Sequence, residues 1–94
     1  MKIVFSVFAA KELDDAVDWY EDIQVGLGSR FGRTIHDTLS RILKHPKLNS
    51  EISKGIYRAI VKKFPYGIIY SIEDDEIIVL AIAHFHRKPN YWQD

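Results

Sequence analysis

Two histidines near the carboxyl end, His84 and His86, are the residues best suited to chemistry, because imidazole alone among side chains titrates near neutral pH without help. Two residues apart, they share a face if the strand that carries them continues, which is metal-ligand spacing in outline. A zinc-type site needs three or four ligands, and no third stands nearby in the chain, so no metal or cofactor is expected. Tyr91, a few residues on, adds a third group able to hold a proton. The other pair, His36 and His45, falls on or at the end of a helical segment, where surface or capping duty is expected. Carboxylates crowd a different region. Asp14, Asp18 and Asp22 recur at helical spacing on what reads as a wet face, and the acids of this segment are expected to be solvated. With no cysteine the chain has no thiolate nucleophile, no thiolate metal site and no disulfide, as suits a reducing compartment.

The formal net charge of zero hides a segregation. Lys11 to Asp22 holds six acids against one base, a net of −5, whereas Arg30 to Lys63 holds nine bases against Asp37 and Glu51, a net of +7. A chain so polarised can offer a basic face to an acidic or nucleic-acid partner.

The elements that must position these groups follow from periodicity. Ninety-four residues, 47% of them hydrophobic, suffice for one core, so residues 1–94 are read as a single domain. Residues 3–8, β-branched and aromatic, predict a first strand, and Ala9-Ala10 favours the helix that follows. Apolar positions 9, 13, 16, 17, 20 and 23 give that helix a buried stripe running to about Gln24. Gly26 and Gly28 flank Leu27 as a tight connection. Phe31, Ile35, Leu39, Ile42 and Leu43 then mark a second helix, stopped by His45-Pro46. So short a link makes the two helices an antiparallel hairpin. Residues 47–51 read as loop, and strands are predicted at Tyr57–Val61, Gly67–Ile72 and Ile77–Ala83, the last two joined by the acidic turn Glu73-Asp74-Asp75-Glu76. The unbroken apolar run from Ile77 to Ala83 predicts a covered, central strand. The order β-α-α-β-β-β is an α+β domain, with the helical hairpin on one face of a small, mostly antiparallel sheet. The amino terminus is too short for a signal-peptide core and no run approaches ~20 apolar residues, so a cytoplasmic protein without a membrane segment is expected.

Tyr57-Arg58-Ala59-Ile60, Phe64-Pro65-Tyr66-Gly67-Ile68-Ile69-Tyr70, Ile78-Val79-Leu80-Ala81-Ile82-Ala83-His84 and the tail Arg87-Lys88-Pro89-Asn90-Tyr91-Trp92 occur in that order. Together they resemble the RelE/ParE toxin superfamily of type II toxin-antitoxin systems, and its ParE-like branch most closely. Ala9, Leu13, Ala16, Trp19 and Tyr20 resemble the family's first helix, so the resemblance spans essentially the whole chain. It implies a toxin that arrests growth, works in plasmid stabilisation, and is neutralised in a hetero-oligomer by a cognate antitoxin whose carboxyl-terminal segment wraps it. Such a segment orders on binding, and the exposed sheet edges and the grooves beside the hairpin are suitable places for it.

The resemblance also carries two mechanisms. A ParE-like toxin binds DNA gyrase and stalls it on cleaved DNA, which requires a recognition surface and no catalysis. Arg58, Lys62, Lys63, Arg87 and Lys88 beside the aromatic Tyr91 and Trp92 would form it. Trp92 is also suited to folding back on the sheet as tail packing. The alternative is a RelE-like endoribonuclease cutting mRNA on the ribosome, with His84, His86, Arg87 and Tyr91 as its candidate catalytic groups. Against the nuclease, its third-strand arginine is replaced here by Gly67, and a preorganised cation at a phosphoryl transition state is worth several kcal/mol. A toxin-like domain without toxicity is the third reading.

Overall fold

In the computed structural model, which describes residues 1–88 and 90–93, strand β1 (Lys2–Phe5) leads into helices α1 (Val7–Ile23) and α2 (Leu27–Lys44). Strands β2 (Ser50–Ser53), β3 (Ile56–Ile60), β4 (Tyr66–Glu73) and β5 (Glu76–His84) follow, then a 3-10 turn at Tyr91–Gln93. The five strands form one sheet in the order β1-β5-β4-β3-β2; only the β1–β5 pair is parallel. The α+β architecture expected from periodicity is therefore present, with one strand more than expected.

The first strand ends earlier than its apolar residues suggest because Ser6 caps α1. Its hydroxyl accepts from Ala9 N at 3.0 Å and donates to Leu80 O at 3.3 Å, which ties the helix start to β5. Val7 and Phe8, strand-like by propensity, are thereby drawn into the helix. The hairpin link is also shorter than expected: Gly26, at φ 89°, makes the turn, and Gly28 is already helical. A Cβ on Gly28 would lie 2.5 Å from Val17 O and 3.0 Å from Glu21 Cβ, so glycine is what lets the two helices approach. Glu21 closes the junction by accepting from Gly26 N at 2.9 Å and Gly28 N at 3.0 Å, satisfying two amides at the start of α2. Glu21 and, below, Glu12 are the two helix-one acids that are engaged with backbone rather than left to solvent.

The additional strand β2 occupies part of the segment expected to be loop. Its four residues are all exposed, and a bulge interrupts its pairing with β3, so no apolar alternation announced it. The β4–β5 connection is a two-residue turn, Asp74-Asp75, with Asp74 at φ 54° and Glu73 paired to Glu76. Strand β5 is interior, flanked by β1 and β4, as its apolar run implies. An extra residue at Leu80 shifts its register against β4, where Ile69 faces Ala81 and Tyr70 faces Val79. Ile77, Val79 and Ile82 all reach the core under the helices because of that shift.

Phe31, Ile35 and Ile42 of α2 meet Ile68 and Tyr70 of β4 in that core. Tyr20, Phe31, Phe64 and Tyr66 form an aromatic cluster with ring separations of 4.9 to 6.2 Å. Tyr70 is fully buried, yet its hydroxyl is satisfied: it donates to Pro46 O at 2.6 Å and accepts from Asn49 Nδ2 at 3.0 Å. That pair of bonds anchors the chain between α2 and β2. Among the described residues no helix is long and apolar enough to cross a membrane.

Candidate functional site

The helices cover one face of the sheet, and the other face carries the site. In a strand alternate residues share a face, so Arg58, Ile60, Gly67, Ile69, Ala81 and Ala83 point away from the helices. Register then sets neighbours: Arg58 lies opposite Ile69 and Ile69 opposite Ala81, while Ile60, Gly67 and Ala83 form the next row. Ile69 and Ala83 from these rows make a floor. A cleft of about 350 Å³ opens above it, walled by Arg58, Phe85, Arg87, Lys88, Tyr91 and Trp92.

Gly67 leaves room for Arg58. A Cβ at that position would meet Arg58 Cγ at 3.0 Å and Cδ at 3.2 Å, so the stem of Arg58 lies across the place a side chain from β4 would take. The cation that the nucleases of the superfamily are understood to present from this strand has no counterpart on β4, and Arg58 reaches over from β3. No carboxylate is found among the described lining residues, which leaves the cleft positive.

The tail is held by a carboxylate from helix one. Glu12 accepts from Ile82 N at 2.8 Å through Oε1 and from the Tyr91 hydroxyl through Oε2. Ile82 has its N–H on the side of β5 where β1 has already ended, at Phe5 opposite Val79, so Glu12 supplies the partner a longer β1 would have given. Burial raises the Glu12 carboxyl above its ordinary value of 4.5, and the bonds from Tyr91 and Ile82 and the charge of Arg87 offset part of that rise. Tyr91 is pushed upward as well, by burial first and then by its bond to Glu12. The Arg87 guanidinium sits 4.0 Å from the centre of the Tyr91 ring, in cation–π geometry, and Phe8 packs beside the same ring at 5.9 Å. A chain of contacts therefore runs from Ile82 and Glu12 through Tyr91 to Arg87, and it fixes the guanidinium at the mouth of the cleft.

Five of the seven residues expected to contact a target, Arg58, Arg87, Lys88, Tyr91 and Trp92, line this one cleft. Lys62 and Lys63 stand apart, exposed in the β3–β4 turn, where Lys63 adopts φ 68°. Trp92 lies half-buried on the open face, so the tail does fold back on the sheet while lining the cleft; its Nε1 is buried without a partner among the described residues. Of the four residues put forward as nuclease groups, His84, Arg87 and Tyr91 border the cleft. His86 lies in the turn beyond β5, its ring 5.0 Å from that of His84, and its N–H donates to His84 Nδ1 at 3.1 Å. Among the described residues no third His or carboxylate joins this pair at metal-binding distance. Pro89, part of the Arg-x-Pro motif, and Asp94 at the chain end lie outside the described residues.

A second cleft of about 380 Å³ runs along α1 beside the vacant half of the β5 edge, bordered by Glu12, Asp15, Trp19, Tyr66, His84 and Arg87. His84 and Arg87 border both clefts and thus form the ridge between them. Trp19 (61% exposed), Ile23 (57%) and Val25 (90%) continue an apolar strip from the second cleft along the end of α1. The sequence shows Glu12 only faintly. The one signal is its position four residues before buried Ala16, at the border of the apolar stripe rather than opposite it.

No curated protein matches the sequence significantly. Among solved structures the fold is similar to a chain described as the chromosomal ParDE TA system from P. aeruginosa, with a TM-score of 0.75 and 17% identity, over 89% of this chain and 95% of that one. At that identity the likeness bears on the fold. The family model described as "ParE toxin of type II toxin-antitoxin system, parDE" matches residues 3–89, nearly the full length, from within β1 through both helices and the remaining strands to Arg87 and beyond. The chain belongs to the ParE toxin family of type II toxin-antitoxin systems.

Proposed function

We propose that this toxin arrests growth as a binding protein, seating the open-face cleft on DNA gyrase and holding the enzyme on cleaved DNA, without catalysing a reaction itself. The observation that carries the reading is the composition of the cleft. Arg58 and Arg87 flank an aromatic wall of Phe85 and Trp92, the combination of cations and rigid aromatic surface that concentrates binding energy at interfaces. The same cleft is poorly equipped for phosphoryl transfer. Tyr91 has its hydroxyl committed to Glu12 and its ionisation pushed upward, and β4 offers Gly67 where a cation would be wanted.

The toxin is neutralised, in this reading, by a cognate antitoxin whose extended segment lies in the α1 cleft and over the Trp19–Val25 strip. Apolar side chains left exposed in such a row are what a partner would cover. An occupant there would abut His84 and Arg87 and so obstruct both clefts at once.

Expression with and without the neighbouring small reading frame tests the reading in cells. The toxin alone should stop growth and yield plasmid DNA cleaved and covalently joined to gyrase, and the Arg58→Ala, Arg87→Ala double variant should lose both effects while remaining folded. Growth arrest that persists in the double variant, or that comes without gyrase-linked DNA, refutes it.

A further inference from the structure

Helix α2 carries a row of cations that the cleft does not use. Arg30, Arg33, Arg41 and Lys44 are all exposed. At 100° per residue they fall within an arc of about 80°, and residues 30 to 44 rise by about 21 Å along the axis. The arc is on the opposite side of the helix from Gly28, which lies tight against Val17 and Glu21 of α1, so the row faces away from α1.

Stability does not account for this row. Among the described residues none of the four forms an ion pair, and Asp37, the one acid within the arc, makes its ion contact with His36 at 3.8 Å. Arg41 and Lys44 do complement the negative end of the helix dipole. Arg30, the fourth residue of α2, is placed where the dipole disfavours a cation, and Arg33, a turn further on, gains nothing from it.

We propose that this face of α2 binds the phosphate backbone of duplex DNA, independently of sequence. Three arginines and a lysine in a line match phosphate oxygens, arginine in fork geometry and lysine as a point charge. The arc holds no aromatic ring on which an unpaired base would stack, which favours a duplex over a single strand. Nor does it hold an amide side chain to read base edges, so backbone contact is the recognition it supports. The row stands on the helical layer and the cleft on the opposite face of the sheet; the two come together at Arg41, which borders one pocket with Arg58, while Arg30 and Arg33 lie toward the other end of α2. The inference goes beyond the gyrase reading, giving the toxin a second hold on the DNA that gyrase works on.

Fluorescence anisotropy of the purified toxin with a labelled 20-base-pair duplex of arbitrary sequence tests it. Four phosphate contacts predict a slope of log K against log salt of about −3.6, or about 150-fold weaker binding at 200 mM than at 50 mM. The Arg30→Gln, Arg33→Gln double variant should halve that slope, to about −1.8, with an unchanged thermal midpoint. Lys62→Gln, in the β3–β4 turn, should leave it alone. Absence of duplex binding at 50 mM salt, or a slope the double variant does not change, overturns the inference. So does a double variant that retains duplex binding but no longer captures the antitoxin, which would make the row a protein-binding face. Gyrase inhibition by a toxin that fails to bind duplex would refute this inference alone, whereas duplex binding without gyrase inhibition would refute the gyrase reading alone.

Discussion

Replacing Glu12 tests whether helix one holds the tail and the end of β5 in place. Glu12→Ala leaves Ile82 N–H without the carboxylate it meets at 2.8 Å, on the side of β5 where β1 has ended. A backbone donor left unpaired in a part-buried site costs about 1–3 kcal/mol, and releasing the Tyr91 hydroxyl from a half-exposed bond adds up to about 1 kcal/mol. We expect a loss of about 2–3 kcal/mol at pH 7, read as a lower urea midpoint at constant slope. Glu12→Gln keeps a carbonyl for Ile82 and an amide able to donate to the Tyr91 oxygen, so it should cost less than about 1 kcal/mol. The two variants also separate by pH. Because burial raises the folded carboxyl above 4.5, the folded state binds a proton more tightly than the unfolded chain. The proton-linked part of its contribution is therefore fully present below pH 4.5 and is lost as pH rises through the folded value, leaving the hydrogen bonds as what Glu12 supplies at pH 7; Glu12→Gln should remove that slope. An alanine variant within about 0.5 kcal/mol of the parent, or a glutamine variant with the parent's pH slope, would refute the assignment, the former judged against the cost of an unpaired donor.

Three further outcomes follow from the geometry. Gly28→Ala should destabilise by about 1–3 kcal/mol through the 2.5 Å approach to Val17 O, despite alanine's better helix propensity; thermal melting at or above the parent's midpoint would show that the hairpin opens freely. Tyr70→Phe should cost about 1–3 kcal/mol in urea unfolding, since it strands Pro46 O and Asn49 Nδ2, and a neutral effect would mean the loop is not anchored there. Amides of Ile77 to Ala83 should be among the slowest to exchange, with rapid exchange there under conditions that protect α2 counting against the interior position of β5.

Both helices and the two long strands were legible because each repeats an apolar period over many residues, as Phe31, Ile35 and Ile42 do in α2. What escaped had a local cause. Ser-Glu-Ile-Ser in β2 is a polar edge strand with no buried face to alternate. The helix start at Val7 depends on one hydroxyl, that of Ser6, against the strand propensity around it. Glu12 reads as one more acid on a wet helix because its partner, Ile82, is seventy residues away and becomes available only where β1 stops. The cleft is a product of register: Arg58, Ile69 and Ala81 are brought into one row by two strand pairings that periodicity does not encode. Its residues stood out in the sequence through family resemblance and not through spacing.

The most direct test of the binding-protein account adds one preparation of purified toxin to two reactions, gyrase supercoiling of relaxed plasmid and a translating ribosome system. The account predicts cleaved DNA covalently held by gyrase in the first, abolished by Arg87→Ala, and intact message in the second. Codon-positioned cuts in the message, with supercoiling untouched, would contradict it and make His84, His86 and Arg87 the residues to examine as catalysts.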